Sequence, residues 1–187
     1  MERRPALGIV VAYESAAWLH QFAVRSPRQH VLSIASEHSV PHALRGFRVT
    51  RMEGNLAVVD IRGLAVWRLE TLIVLIGTRP RAFRDWPNIG EWLPAAVSQL
   101  DERAILEELQ GRPRSAWMRT GYVLETGGGH RLASLLRDRA PAGSGPFYLG
   151  SRQAPGRYNT KWDVHDSALR YRHIQSTDGA ASTSRQR

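Results

Sequence analysis

LETLIVLIG, residues 69–77, is the stretch that decides the fold of this chain. Leu69, Leu72, Ile73 and Ile76 stand at positions i, i+3, i+4 and i+7, which is the spacing of one face of an α-helix. Gly77 closes the pattern, as glycine commonly does at a helix C-terminus. Because the stretch is almost wholly apolar, the sequence predicts a buried helix at the centre of the protein.

Upstream of this helix the apolar residues follow the shorter period of β-strands. Residues 30–36 and 47–52 read HVLSIAS and FRVTRM, and the second alternates apolar with polar residues. Gly54-Asn55 fits a tight turn, which predicts that residues 56–61 pair with residues 47–52 in a hairpin. The other elements predicted here are a polar lead over residues 1–7, an amphipathic helix over residues 12–22 and an extended piece over residues 64–67.

Downstream of the central helix the pattern becomes helical. Asp101 is a good N-cap and Gly111 a good stop for one helix, and the Gly127–Gly129 run ends another. Pro94 fits a helix only near its first turn. A loop is predicted over residues 78–88, and helices over residues 89–99, 101–110, 115–126 and 130–139.

The C-terminal part returns to extended structure. Residues 146–149 and 160–164 are predicted to be extended, with a Gly/Pro-rich loop over residues 150–159 between them. Residues 168–173 fit a last strand. The order of strands, helices and strands predicts an α+β fold, with mixed or antiparallel N-terminal strands, central helices and C-terminal strands that pack back on the core. We expect one domain over residues 1–174 and a disordered polar tail over residues 175–187.

Composition limits the classes of function. The chain has 187 residues, of which 42% are hydrophobic, and it includes six tryptophans, so it can bury a sizeable core. It has no cysteine, which excludes disulfides, thiolate metal sites and thiol nucleophiles. Arg68 and Glu70 interrupt the longest apolar stretch, and no signal-peptide pattern is present. These features predict a soluble cytoplasmic protein that does not enter a membrane.

Positive charge is concentrated in one half of the chain. Residues 1–111 carry 13 arginines against 12 acidic residues, whereas residues 112–187 carry 12 arginines and the only lysine, Lys161, against five acidic residues. The ratio of 25 arginines to one lysine is typical of GC-rich coding, but that bias does not explain the uneven distribution. The asymmetry indicates an acidic partner, either a nucleic acid or an acidic protein surface.

Recognisable catalytic patterns are weak. Gly127–Gly129 is not followed by Gly-Lys-Ser/Thr and is interpreted as a connector between helices. His38 and His42 are four residues apart but lack a third ligand at a known spacing. We predict no metal and no cofactor.

One enzymatic alternative stays open, a metal-dependent nuclease-like protein that uses Asp163, His165 and Asp166 with Lys161. In an alternating strand Asp163 and His165 would share a face and Asp166 would point away, which suits hydrogen bonding at least as well as metal binding. A degenerate interaction domain without activity is a third possibility.

Arginines and aromatic residues are interleaved in the basic half, and such surfaces hold phosphates or fill interface pockets. The Gly/Pro-rich loop favours surface exposure of its residues. The large aromatics Trp117, Phe147 and Trp162 are interpreted as core. The candidate contact residues for a nucleic acid or a protein partner are Arg152, Arg157, Tyr158 and Lys161, supported by Arg114 and Arg119.

Three segments resemble the effector domain of AbiEi-type antitoxins, which belong to bacterial type IV toxin–antitoxin systems. They are RGLAVWRLETLIVLIGTRPRAFRDWPNIGEWLPAAV (residues 62–97), RTGYVLETGG (119–128) and FYLGSRQAPGRYNTKWDVHDSAL (147–169). The resemblance extends over residues 12–169, and its most specific parts are the helix at Arg119–Gly121 and the ending from Tyr148 to Val164.

This resemblance implies a non-enzymatic antitoxin that counteracts a nucleotidyltransferase-like toxin encoded beside it, in a system that serves phage defence. Family members usually carry an N-terminal winged helix that binds their own promoter. About a dozen residues precede the similar region here, so we expect that element to be missing. The hypothesis is therefore a regulatory protein with two partners, the toxin, as a functional or a physical partner, and double-stranded DNA, with the basic half as the surface that meets either of them.

Overall fold

The computed structural model describes residues 8–35, 39–51, 55 and 58–169, which form two small sheets and a group of helices. This confirms the predicted α+β class. The strands are β1 (Ile9–Val11), β2 (Val31–Ile34), β3 (Arg48–Arg51), β4 (Val59–Ile61), β5 (Leu64–Val66), β6 (Phe147–Leu149), β7 (Arg157–Asn159) and β8 (Val164–Asp166). The helices are α1 (Tyr13–Leu19), α2 (Leu69–Thr78), α3 (Trp86–Val97), α4 (Glu102–Leu109), α5 (Arg114–Thr126) and α6 (His130–Arg139), with single turns of 3-10 helix at His42–Leu44 and Pro80–Ala82.

Helix α2 is the centre of the core, as its sequence predicts. Every residue from Leu69 to Gly77 is buried. The helix packs against α1, α4 and above all α5. The close approach of α5 requires Gly77, because a Cβ atom at this position would come closer than 3.0 Å to the Thr120 backbone nitrogen.

The first sheet has the strand order β3-β2-β1-β5-β4. Strand β1 is antiparallel to β2 and parallel to β5, while β2 and β3 are parallel. The sequence did not predict β1, since three apolar residues are too few to show a period. The predicted polar lead, residues 1–7, lies outside the described residues.

The predicted hairpin between residues 47–52 and 56–61 is wrong. Strands β3 and β4 lie at opposite edges of the first sheet, and β4 pairs instead with β5. The tight turn is Arg62-Gly63, whose φ angles of 56° and 79° are those of a type I′ hairpin turn. The backbone N–H of Gly63 also donates to Asp60 Oδ1 over 2.9 Å, which fixes the turn.

The central helices follow the sequence prediction closely, with two corrections. Helix α3 begins at Trp86, inside the loop predicted over residues 78–88, because the Asp85 side chain caps it by accepting from the Asn88 N–H. Asp101 caps α4 by accepting a hydrogen bond from the Ala104 N–H at 2.7 Å. Pro94, however, lies inside α3 and not in its first turn. The helix continues past this residue because Trp92, Leu93 and Ala96 are buried, so packing outweighs the missing hydrogen-bond donor.

The second sheet, with the order β6-β8-β7, is only partly predicted. Strand β6 confirms the extended residues 146–149, but β7 lies in the predicted loop, and residues 160–163 form a turn. Asn159 Oδ1 accepts from the Trp162 N–H at 3.2 Å, and this side-chain bond favours a turn over a strand. Residues 168 and 169 form a bend, and the rest of the predicted last strand, like the tail over residues 175–187, lies outside the described residues.

Every helix in the described ranges is too short or too polar to span a bilayer.

Candidate partner-binding surface

Trp162 anchors the second sheet to helix α5. Its side chain is 0% exposed and lies against Gly121. A Cβ atom at residue 121 would come closer than 3.0 Å to two carbon atoms of the Trp162 ring. Gly121, which weakens the helical propensity of α5, is therefore the residue that makes room for the sheet.

Glu125 forms a second anchor at the same place. Its carboxylate accepts hydrogen bonds from the Trp162 indole N–H and from Lys161 Nζ, the latter at 2.5 Å. Burial alone would raise the pKa of Glu125, but these two hydrogen bonds and the Lys161 charge outweigh it and lower the pKa. Lys161, predicted as a partner contact, is thus engaged in holding the sheet.

The Glu125 anchor is expected to weaken in acid. Because folding lowers the pKa of Glu125, its contribution is fully present above the pKa of the unfolded chain and is lost as the pH falls through the folded pKa. Glu125→Gln should therefore lower the thermal unfolding midpoint at pH 7, and the difference from wild type should shrink below about pH 4. An equal difference at every pH would mean that the charge of Glu125 does not stabilise the sheet.

The exposed side of the second sheet carries a row of rings, which we call the outer face. Tyr148 of β6 and Tyr158 of β7 both pair with His165 of β8, so the three side chains stand side by side. The ring centroids of Tyr148 and His165 are 5.5 Å apart. The Arg152 guanidinium carbon lies 5.0 Å from the centroid of the Tyr148 ring, a cation–π contact that holds this arginine on the outer face.

The structure brings only some of the predicted contact residues together. Arg152 and Tyr158 belong to the outer face, and Tyr158 is 49% exposed. Arg157 is also exposed, but adjacent strand positions point to opposite sides, so Arg157 and Tyr158 diverge. The Tyr158 hydroxyl donates to the Asp163 carboxylate, and this bond raises the pKa of Tyr158.

Arg114 and Arg119 serve the fold. The Arg114 side chain donates to the Pro141 carbonyl at 2.7 Å. The Arg119 guanidinium donates to the carbonyls of Thr78, at 3.4 Å, and Tyr148, at 3.3 Å, and so links the end of α2 to β6. Burial lowers the pKa of Arg119.

The cluster of the nuclease-like alternative is not assembled. Asp163 precedes β8, with a φ of 54°, and accepts hydrogen bonds from the Gly145 N–H and the Tyr158 hydroxyl. Asp166 is buried and accepts a hydrogen bond from the Tyr122 hydroxyl at 2.8 Å. Among the residues that the structure describes, no three acidic or histidine side chains converge as metal ligands do.

Sequence reasoning missed two arginines. Arg79 and Arg81 follow α2 directly and line a cavity of about 620 Å³ together with Arg119 and Arg152. The segment TRPRAFR, residues 78–84, carries both arginines, but its sequence pattern predicts only a loop. These arginines are far from Arg152 in the sequence, so only the fold shows that they line the same cavity.

The architecture defines a class of protein, an α+β domain with a helical core and a small anchored sheet that exposes arginine and tyrosine. The chain belongs to the AbiEi antitoxin C-terminal domain family, whose model matches residues 8–126. Membership supports an antitoxin role. The match confirms the resemblance to AbiEi antitoxins, although the ending around residues 148–164 lies beyond the matched range.

Among solved structures, the fold is similar to that of the Rv2827c protein from Mycobacterium tuberculosis. The two share 23% sequence identity with a TM-score of 0.80, over 93% of this chain and 67% of the other. At this level of identity the likeness concerns the fold. None of the curated proteins matches the chain significantly.

Proposed function

We propose that this protein is a non-enzymatic antitoxin of a type IV toxin–antitoxin system that counteracts a nucleotidyltransferase-like toxin, with Arg152, Arg157 and Tyr158 as its contact residues. The observation that carries the proposal, beside the family, is the Arg152–Tyr148 stack on the same face of the anchored sheet as the exposed Tyr158. Tyrosine and arginine dominate the binding energy of protein interfaces.

Two features of the surface support a contact role. The sheet is fixed to α5 through Trp162, so presenting its residues costs little ordering entropy. Within the described part of the chain, neither Arg152 nor Arg157 forms an ion pair with a carboxylate. Both guanidinium groups are exposed, Arg152 on the outer face and Arg157 on the opposite side of the sheet, and charge complementarity would favour an acidic partner surface that reaches around the sheet to both.

The test is growth of bacteria that express the nucleotidyltransferase-like toxin encoded beside this gene. Expression of the toxin alone is expected to stop growth, and co-expression of this chain to restore it. Continued arrest, with the chain present in soluble and folded form, would contradict the antitoxin role.

Contribution to autoregulation is a second proposal, favoured by the net charge of +9 and its concentration in residues 112–187. Phosphate contacts release counterions, so the affinity for a duplex of the operon's promoter should fall steeply between 50 and 200 mM salt, by about a thousandfold for six phosphate contacts. Gel shifts across this range measure the slope. Absence of binding at 50 mM salt would contradict the proposal that this protein binds promoter DNA.

A further inference from the structure

A cavity of about 620 Å³ lies between the C-terminal end of α2, the turn at Pro80–Ala82, helix α5 and strand β6. Four arginines line it, and no carboxylate of the described residues does. Such a collection of like charges favours the entry of an anion. The arginines are Arg79, Arg81, Arg119 and Arg152.

Arg119 provides fixed positive charge within the wall of the cavity. Its two hydrogen bonds to the Thr78 and Tyr148 carbonyls are long, at 3.4 and 3.3 Å, and both acceptors are neutral. Its Nε is buried and has no hydrogen-bond partner. A partly buried guanidinium without a carboxylate is costly, and an anion in the cavity would offset that cost.

Beside the exposed Arg79, the cavity has two further exposed arginines, Arg81 and Arg152. Neither forms an ion pair with any carboxylate that the structure describes. The stack on Tyr148 limits the freedom of Arg152, so less entropy is lost when it binds a ligand. Guanidinium groups match phosphate oxygens in pairs, which makes arginine the preferred side chain for this anion.

The rest of the lining suits an organic group attached to the phosphate. Pro80, Pro146, Phe147 and Tyr148 supply apolar and aromatic surface. The volume lies within the range of small-ligand sites, which combine apolar walls with a few polar groups. An aromatic wall beside a cluster of arginines is the environment in which a base stacks while its phosphate is neutralised.

We propose that this cavity binds a phosphorylated ligand of nucleotide size, its phosphate held by Arg81 and Arg152 with Arg119 behind them. This site shares Arg152 and Tyr148 with the proposed toxin-contact surface, but its test needs no toxin, so the two proposals can fail separately. The same chemistry is offered by a free nucleotide and by the 5′-phosphorylated end of a nucleic-acid strand. The experiment therefore includes both.

Isothermal titration calorimetry at low salt tests the proposal with four probes: ADP, adenosine, trithymidylate with a 5′-phosphate, and the same oligonucleotide without it. At least one phosphorylated probe should bind at least tenfold more tightly than its unphosphorylated counterpart. Tighter binding of ADP identifies a free nucleotide as the source of the phosphate, and tighter binding of the oligonucleotide identifies a strand end. Equal affinity with and without the phosphate, or no binding of either phosphorylated probe, would overturn the proposal.

Two double variants distinguish phosphate binding in this cavity from a general effect of the protein's positive charge. Arg81→Ala with Arg152→Ala should weaken binding of the phosphorylated probe by about tenfold or more for each arginine. Arg103→Ala with Arg139→Ala removes the same charge from exposed positions on α4 and α6, and should leave binding unchanged. Equal weakening in both double variants would refute the site. Unfolding midpoints near that of wild type would show that all the proteins are folded.

Discussion

Gly121→Ala is expected to destabilise the protein by roughly 2 kcal/mol. The new methyl group would overlap the buried ring of Trp162, and overpacking against a side chain that cannot move costs about 3 kcal/mol. Replacing glycine inside a helix by alanine stabilises the helix by about 1 kcal/mol, which offsets part of this cost. Urea unfolding, followed by tryptophan fluorescence, measures the difference.

Gly90→Ala is the matched control for this variant. Gly90 also lies inside a helix, α3, but a Cβ atom there would meet only the Leu169 side chain at an ordinary distance of 3.9 Å. The free energy of unfolding of the control should rise by up to about 1 kcal/mol, from helical propensity alone. If Gly121→Ala were as stable as Gly90→Ala, Trp162 would not anchor the sheet in the way described.

The helices could be predicted from sequence because their signals are local. Leu69, Leu72, Ile73 and Ile76 show the period of α2 within three turns, and Asp101 marks the start of α4 by its capping chemistry. Pairing of strands is a property of the whole fold. The three-residue strands β1 and β7 show no pattern of their own that predicts a strand, and their pairing depends on distant residues.

For the candidate site, too, local features could be predicted from the sequence and long-range contacts could not. Exposure of Arg152 and Tyr158 followed from the Gly/Pro-rich loop, which is local information. The structural roles of Arg119 and Lys161 depend on the Thr78 carbonyl and the Glu125 carboxylate, which distant parts of the chain supply. Arg81 was missed for the same reason, because its partner in the cavity, Arg152, belongs to another element.

Reversing the charge at Arg152 and Arg157 together is expected to have the largest effect on function. If the two guanidinium groups meet an acidic toxin surface, the two glutamates would replace attraction by repulsion between like charges. Each such replacement costs several kcal/mol at an interface. The affinity of the double variant for the toxin should therefore fall by a factor of about a thousand or more. Both residues are exposed and unpaired with carboxylates in the described chain, so the fold should be retained.

The measurement that tests the account most directly is the growth of cells that co-express the toxin with one of three proteins at equal soluble levels. These are the wild type, Arg152→Glu with Arg157→Glu, and Arg103→Glu with Arg139→Glu, which changes the net charge equally but on helices α4 and α6. The account predicts growth with the wild type and with the α4/α6 variant, and arrest with the Arg152/Arg157 variant. Full growth with the folded Arg152/Arg157 variant would contradict it.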